Sequence, residues 1–245
     1  MDGFFGDIYQ IAGESLAPIL QDPANRGRSW DRCYSFFQHY HQLDEPERRR
    51  NMELACLHLG FYLASWGMFR GSGPLIHKDY TIYEGVINIL LEKQYDALWH
   101  ADYFQELLTY NSPIEDNNQQ VELIFQLDNQ IREYFCGLSI IRNHLTEPEQ
   151  ANATDTLITK VLMGTICCTP AYDTYFPAGL TTCGIERYGS FRMSSFIRLL
   201  NICRENNLWT TLQRQPIEHY RVVYPLMRVV DLYFWTKGYN AEHPR

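Results

Sequence analysis

An acid that follows a helix break is the residue best placed to do chemistry in this chain. Between Thr154 and Gly184, the residues Leu157, Ile158, Val161, Leu162, Thr165 and Ile166 recur on one helical face. Thr154 or Asp155 supplies the cap at its start. Pro170 turns Thr169 away from helical angles, so the spacing predicts a helix that ends near there. Asp173 then opens a second helical piece, walled by Tyr172, Tyr175 and Phe176. A carboxylate at a helix N-terminus has two uses. It caps the free N–H groups of the first turn, or it serves as a catalytic carboxylate that stabilises developing positive charge. The local sequence leaves both open.

A second candidate is the loop Arg70-Gly71-Ser72-Gly73-Pro74. Its glycines permit positive φ and expose amides, which suits a phosphate cradle; the same Gly and Pro also serve simply as a helix stop. With Trp66 and Lys78, the side chains of Arg70 and Ser72 form the one set in the acidic part of the chain suited to anions and base stacking.

Charge is unevenly spread. Residues 1–150 are net −11 and residues 151–245 net +3, giving −8 overall. The total weighs against a nucleic-acid binder, because phosphate neutralisation dominates that affinity. The asymmetry points the other way. Arg187 and Arg192, with Ser190 as the expected cap of the following helix, form a candidate DNA-binding face downstream of Asp173, although scattered arginines also read as solvated helix surface.

The Asp173 region carries a family resemblance. Thr-Lys-Val-Leu at 159–162, followed by Pro-Ala-Tyr-Asp at 170–173 and Phe176, resembles the pattern of the helix-hairpin-helix DNA glycosylase superfamily, a Lys-bearing helix and then Pro-x-aromatic-Asp. The resemblance covers about thirty residues. It implies a hydrolase of DNA repair or antiviral defence that flips out a modified or damaged base and cleaves its glycosidic bond. It gives Asp173 the role of stabilising the sugar cation or activating water, and makes Lys160 the candidate nucleophile of a lyase. The base pocket would lie between the Trp66–Ser72 loop and the Tyr172–Phe176 turn. The chain departs from the pattern where Glu149-Gln150-Ala151-Asn152-Ala153 stands in place of a Gly-x-Gly hairpin. Lys160 also falls nearly opposite the apolar stripe, which reads as a solvated lysine and predicts no Schiff base.

Other constellations are thinner. Arg214 and His219 have the Arg-x4-His spacing of HEPN-type helical ribonucleases, with Pro216 interrupting the helix. His39 and His41 diverge on a helix and make a poor metal pair with Cys33. There is no Gly-x-Ser-x-Gly elbow, phosphate loop, Cys-x-x-Cys pair or cofactor motif. The seven cysteines have no metal-type spacing and read as reduced core residues of a cytoplasmic protein. A non-catalytic helical interaction or defence-associated protein also fits the sequence.

These residues must be positioned by helices. The 245 residues are 45% hydrophobic, without an internal repeat or strand-like alternation. The expected fold is all-α, a compact multi-helix single domain over residues 1–245, with an acidic part over about 1–150, a more basic one over about 151–245, and two lobes with a cleft as the open alternative. The run from Leu54 to Phe69, apolar nearly all round, is expected to be a central buried helix that stops at Gly71 and Gly73. It is too short and too polar to span a membrane. Further helices are expected over Trp30–Tyr40, Tyr80–Trp99, Asn118–Phe135, Leu138–Leu145, Ser190–Asn206 and Pro225–Lys237, with Pro177-Ala178-Gly179 in a loop.

Overall fold

The computed structural model describes residues 5–69, 75, 78–110, 112–140, 149–185, 189–214 and 224–244. Among these, regular structure is helical apart from one short antiparallel pair. The helices in order are α1 (Ile8–Gln21), α2 (Arg28–Tyr40), α3 (Glu45–Arg50), α4 (Met52–Ser65), α5 (Tyr83–Leu90), α6 (Gln105–Thr109), α7 (Gln119–Cys136), α8 (Asp155–Thr165), α9 (Tyr175–Thr182), α10 (Met193–Glu205), α11 (Leu208–Arg214) and α12 (Leu226–Glu242). The strands β1 (Ser139–Ile140) and β2 (Glu149–Gln150) pair, so the helix expected over Leu138–Leu145 is replaced by a strand at Ser139–Ile140, while its residues 141–145 lie outside the described residues. No helix among the described residues is long and apolar enough to cross a membrane.

The helix starts follow local chemistry. Asp44, Asn118 and Thr154 each accept from backbone N–H groups of the turns they open. Helix α4 ends earlier than its apolar run. Gly67 adopts φ +76°, its N–H reaches the Ala64 carbonyl, and the Met68 N–H reaches the Leu63 carbonyl. That pair of bonds is a Schellman stop, which the glycine makes possible. Trp66 is thereby fixed at the C-cap of α4. The outer face of α4 is also not buried, since Leu54, Leu57 and Phe61 are exposed, Phe61 by 69%. The expected Tyr80–Trp99 helix breaks into a 3-10 turn at Tyr80–Ile82, α5, and a second 3-10 segment at Lys93–Trp99.

Two helix pairs position the functional residues. Helix α8 lies beneath α2 and α4, with Gly164 against the ring of Tyr62 at a distance that leaves no room for a Cβ. Helices α9 and α12 cross at glycines from both sides. A Cβ on Gly179 would lie 1.8 Å from the Phe234 carbonyl oxygen, and one on Gly238 would lie 2.0 Å from that of Tyr175. Neither contact can be relieved by a side-chain rotation, because the obstacle is backbone. Gly179→Ala is therefore expected to push the helices apart at a cost of about 1–3 kcal/mol or more, read as a lower denaturation midpoint. An unchanged midpoint would contradict this packing. Pro177-Ala178-Gly179, expected as loop, lies inside α9, where Pro177 falls in the first turn and has no N–H to satisfy. Helix α12 runs on past Gly238 to Glu242.

Candidate functional site

The site begins with the way α8 hands the chain to Asp173. The last turn of α8 is held by α2: the Trp30 Nε1–H donates to the Met163 carbonyl at 3.0 Å and Gln38 Nε2 donates to that of Thr165 at 3.2 Å. Cys167 then takes φ +61°, a left-handed conformation that costs a non-glycine residue on the order of 1 kcal/mol. The following segment has no regular structure of its own: the Cys167 and Asp173 N–H groups reach the backbone carbonyls of Leu162 and Ala171, and neighbouring side chains take up backbone groups of Ala171 and Tyr172. Ala171 N–H donates to Asp231 Oδ1 at 3.0 Å, Tyr172 N–H donates to Thr159 Oγ1 at 2.9 Å, and the Tyr172 carbonyl accepts from Thr156 Oγ1 at 2.9 Å.

Asp173 emerges from this clamp with its two oxygens divided. Oδ1 accepts from the N–H groups of Tyr175 and Phe176, at 3.1 and 3.4 Å, and so takes up the first free donors of α9. Oδ2 accepts from Lys160 Nζ at 3.0 Å. One carboxylate therefore caps a helix and faces a cation.

The expectation of a solvated Lys160 is overturned. The residue is 3% exposed, and every residue of α8 from Leu157 to Thr165 is buried. The apolar stripe marked only one of the faces that α8 buries. Lys160 lies on the other, where burial is tolerated because Asp173 neutralises it. Its Nζ also lies 5.0 Å from the centroid of the Trp66 ring, and Arg26 lies 4.8 Å from the same ring.

These groups line a cavity of about 270 Å³. Trp66, Lys160, Asp173 and Arg26 share it with Asp231 and Arg228, with Trp235, Tyr239 and Asn240 of α12, and with Glu14, Ser15, Pro18 and Ile19 of α1. Ser15 and Thr236 hydrogen-bond across α1 and α12 within it. Since about 150 Å³ suffices to hold benzene, the space accepts a larger ring. Three carboxylates and three cations balance along its walls, so the cavity suits a polar group of low net charge.

Behind Lys160 and Asp173 lies a second buried pair. Arg228 Nη1 donates to Asp231 Oδ2 at 3.0 Å, and the guanidinium sits 4.7 Å over Trp30. Burial pushes the Asp231 carboxyl up to about 6 against the pull of Arg228, and the Asp173 charge adds to the rise. The unfolded chain releases this proton near 3.8. The folded form binds the extra proton between these values, so this contribution to stability is fully present below about pH 4 and is lost as pH rises towards 6. Urea unfolding across that range should show the decline in the parent and not in Asp231→Asn; parallel curves would contradict it.

Other expected site residues are placed elsewhere. The Tyr172 ring is buried against Phe176 and Phe191 and does not line the cavity. Tyr175 packs edge-on against Trp235 and Tyr239, outside the lining. Lys78 is half-buried and apart from the cavity. Ser190 does not cap α10, whose N-cap is the exposed Arg192. Arg70, Ser72, Arg187 and His219 lie outside the described residues, as does the side chain of Arg214. Cys33 is core and His41 stacks on Trp99, with ring centroids 4.5 Å apart.

Comparison with known proteins finds no match: no family model, no curated protein and no solved structure. The reading of the site therefore rests on its own geometry. Sequence reasoning missed Asp231, Arg228, Trp235 and Arg26. The buried pair had a signal in Arg228 and Asp231, spaced i, i+3 within the otherwise apolar run of α12.

Proposed function

We propose that this chain acts as a DNA glycosylase, flipping a modified or damaged base into the cavity beside Trp66 and cleaving its glycosidic bond. The observation that carries the reading is the meeting of Lys160 and Asp173 at 3.0 Å on the wall of an indole-lined cavity. Extruding a base costs a few kcal/mol of stacking, and an aromatic wall recovers part of it. Trp66, Trp235 and Tyr239 are the rings available to do so.

Cleavage builds positive charge on the sugar, and Asp173 is the carboxylate placed to oppose it. Lys160 would act as nucleophile once its proton passes to Asp173, which hands that proton on to the departing base and is a carboxylate again as charge develops on the sugar. Nζ bonds to C1′ while the C1′–N bond breaks, and the electron pair leaves with the base, which takes up a proton. Opening of the sugar at O4′, which takes up the proton that Nζ releases after the attack, leaves an iminium between C1′ and Lys160. The test is incubation with a panel of modified DNAs, phage DNAs included, scored for abasic sites.

A second reading has its own support. Asp173 Oδ1 caps α9, which is the work of a structural residue in a non-catalytic helical protein. That reading expects no abasic product from any DNA, and it expects variants of Asp173 to change stability alone.

A further inference from the structure

We infer that Asp231 is a positioning residue, holding the segment from Cys167 to Asp173 so that Asp173 meets Lys160. The inference rests on the reading of those two as the reacting groups. The segment has no helix or strand to fix it, and its conformation includes the left-handed Cys167. Two supports hold it. From α8, Thr156 and Thr159 grip the backbone of Tyr172. From α12, Asp231 takes the N–H of Ala171 at 3.0 Å, two residues before Asp173.

Asp231 is itself immobilised. It is 4% exposed, and Arg228 holds its second oxygen. Helix α12 is locked to α9 by the glycine contacts of Gly179 and Gly238, and α9 is the helix that Asp173 caps. The segment is thus pinned between two helices that are fixed to each other. A buried ion pair is a poor device for stability alone, because well-packed apolar residues of similar volume are often as good or better. Here the carboxylate supplies what an apolar residue cannot, an acceptor for a buried N–H in a segment without regular structure.

The test separates the acceptor from the charge. Arg228→Met with Asp231→Asn keeps an oxygen for Ala171 and removes the ion pair. Arg228→Met with Asp231→Leu removes both. Asp231→Glu keeps a partner for Arg228 but displaces the oxygens by one methylene, and serves where the leucine variant fails to fold. The first readout needs no substrate: the ¹⁵N–¹H signal of the Lys160 ammonium, assigned with Lys160→Met. It should persist in the asparagine pair and be lost in the leucine pair and in Asp231→Glu, as in Asp173→Leu. The second is excision. A displacement of about 1 Å costs up to about a hundredfold, so kcat should fall by about 10- to 100-fold in the leucine pair and in Asp231→Glu, with KM little changed. Equal Lys160 signals and equal kcat across these variants would overturn the inference. Absence of excision in the parent would refute the glycosylase reading alone, and the ammonium signal would still decide the role of Asp231.

Discussion

Asp173→Asn should bind DNA as the parent does and excise at least about 10²-fold more slowly, because the lost charge acts in the transition state. Asparagine preserves the shape and leaves an oxygen for the Tyr175 and Phe176 amides. It also leaves Lys160 buried without a counter-charge. Removing one partner of a buried pair costs about 3–5 kcal/mol, so the variant should also melt earlier. The two effects separate in Lys160→Met combined with Asp173→Asn, which removes the unpaired cation. Stability should largely return in that double variant, which traces the lower melting point of Asp173→Asn to the unpaired Lys160, while excision is absent because both reacting groups are gone. Stability loss without loss of excision in Asp173→Asn would make the carboxylate a cap and an ion-pair partner only.

Borohydride is expected to trap a covalent protein–DNA adduct through Lys160, and Lys160→Gln is expected to abolish it. The sequence predicts the opposite, since it sets Lys160 on a solvated face. In the structure Nζ is buried, borders the cavity and touches the carboxylate that can take its proton. Hydride reduces the iminium between Nζ and C1′ to a stable secondary amine, so the adduct should appear as a mass shift on the Lys160 peptide. Excision without any adduct would assign the attack to water, with Lys160 serving to hold Asp173.

Legibility from sequence differed by element. Thr154 and Asn118 announced helices α8 and α7 within one residue, because a short polar cap followed by apolar periodicity is a local signal. Asp173 was legible too, although α8 stops at Thr165 and the chain turns at left-handed Cys167, ahead of the Pro170 that marks the break in the sequence. The Gly67 stop was missed in favour of Gly71, because the apolar run continues past the residue whose backbone turns. Pro177 and Gly179 read locally as loop residues; the one sits harmlessly in a first turn and the other admits the α12 backbone, a tertiary demand that leaves no periodic trace. Lys160 was misplaced for a related reason. Periodicity reports the most apolar face of a helix, whereas α8 is buried all round and one of its faces is polar because it borders a cavity. Asp231, far from Asp173 in sequence, enters the site only through the packing of α12 on α9.

The measurement closest to the central claim is release of a base. Parent, Asp173→Asn and the Lys160→Met/Asp173→Asn double variant are incubated with a panel of modified, damaged and phage DNAs, and abasic sites are counted. The account predicts abasic sites in at least one DNA with the parent and at least about 10²-fold fewer with either variant. An empty panel for the parent, or equal release by parent and variants, would contradict it.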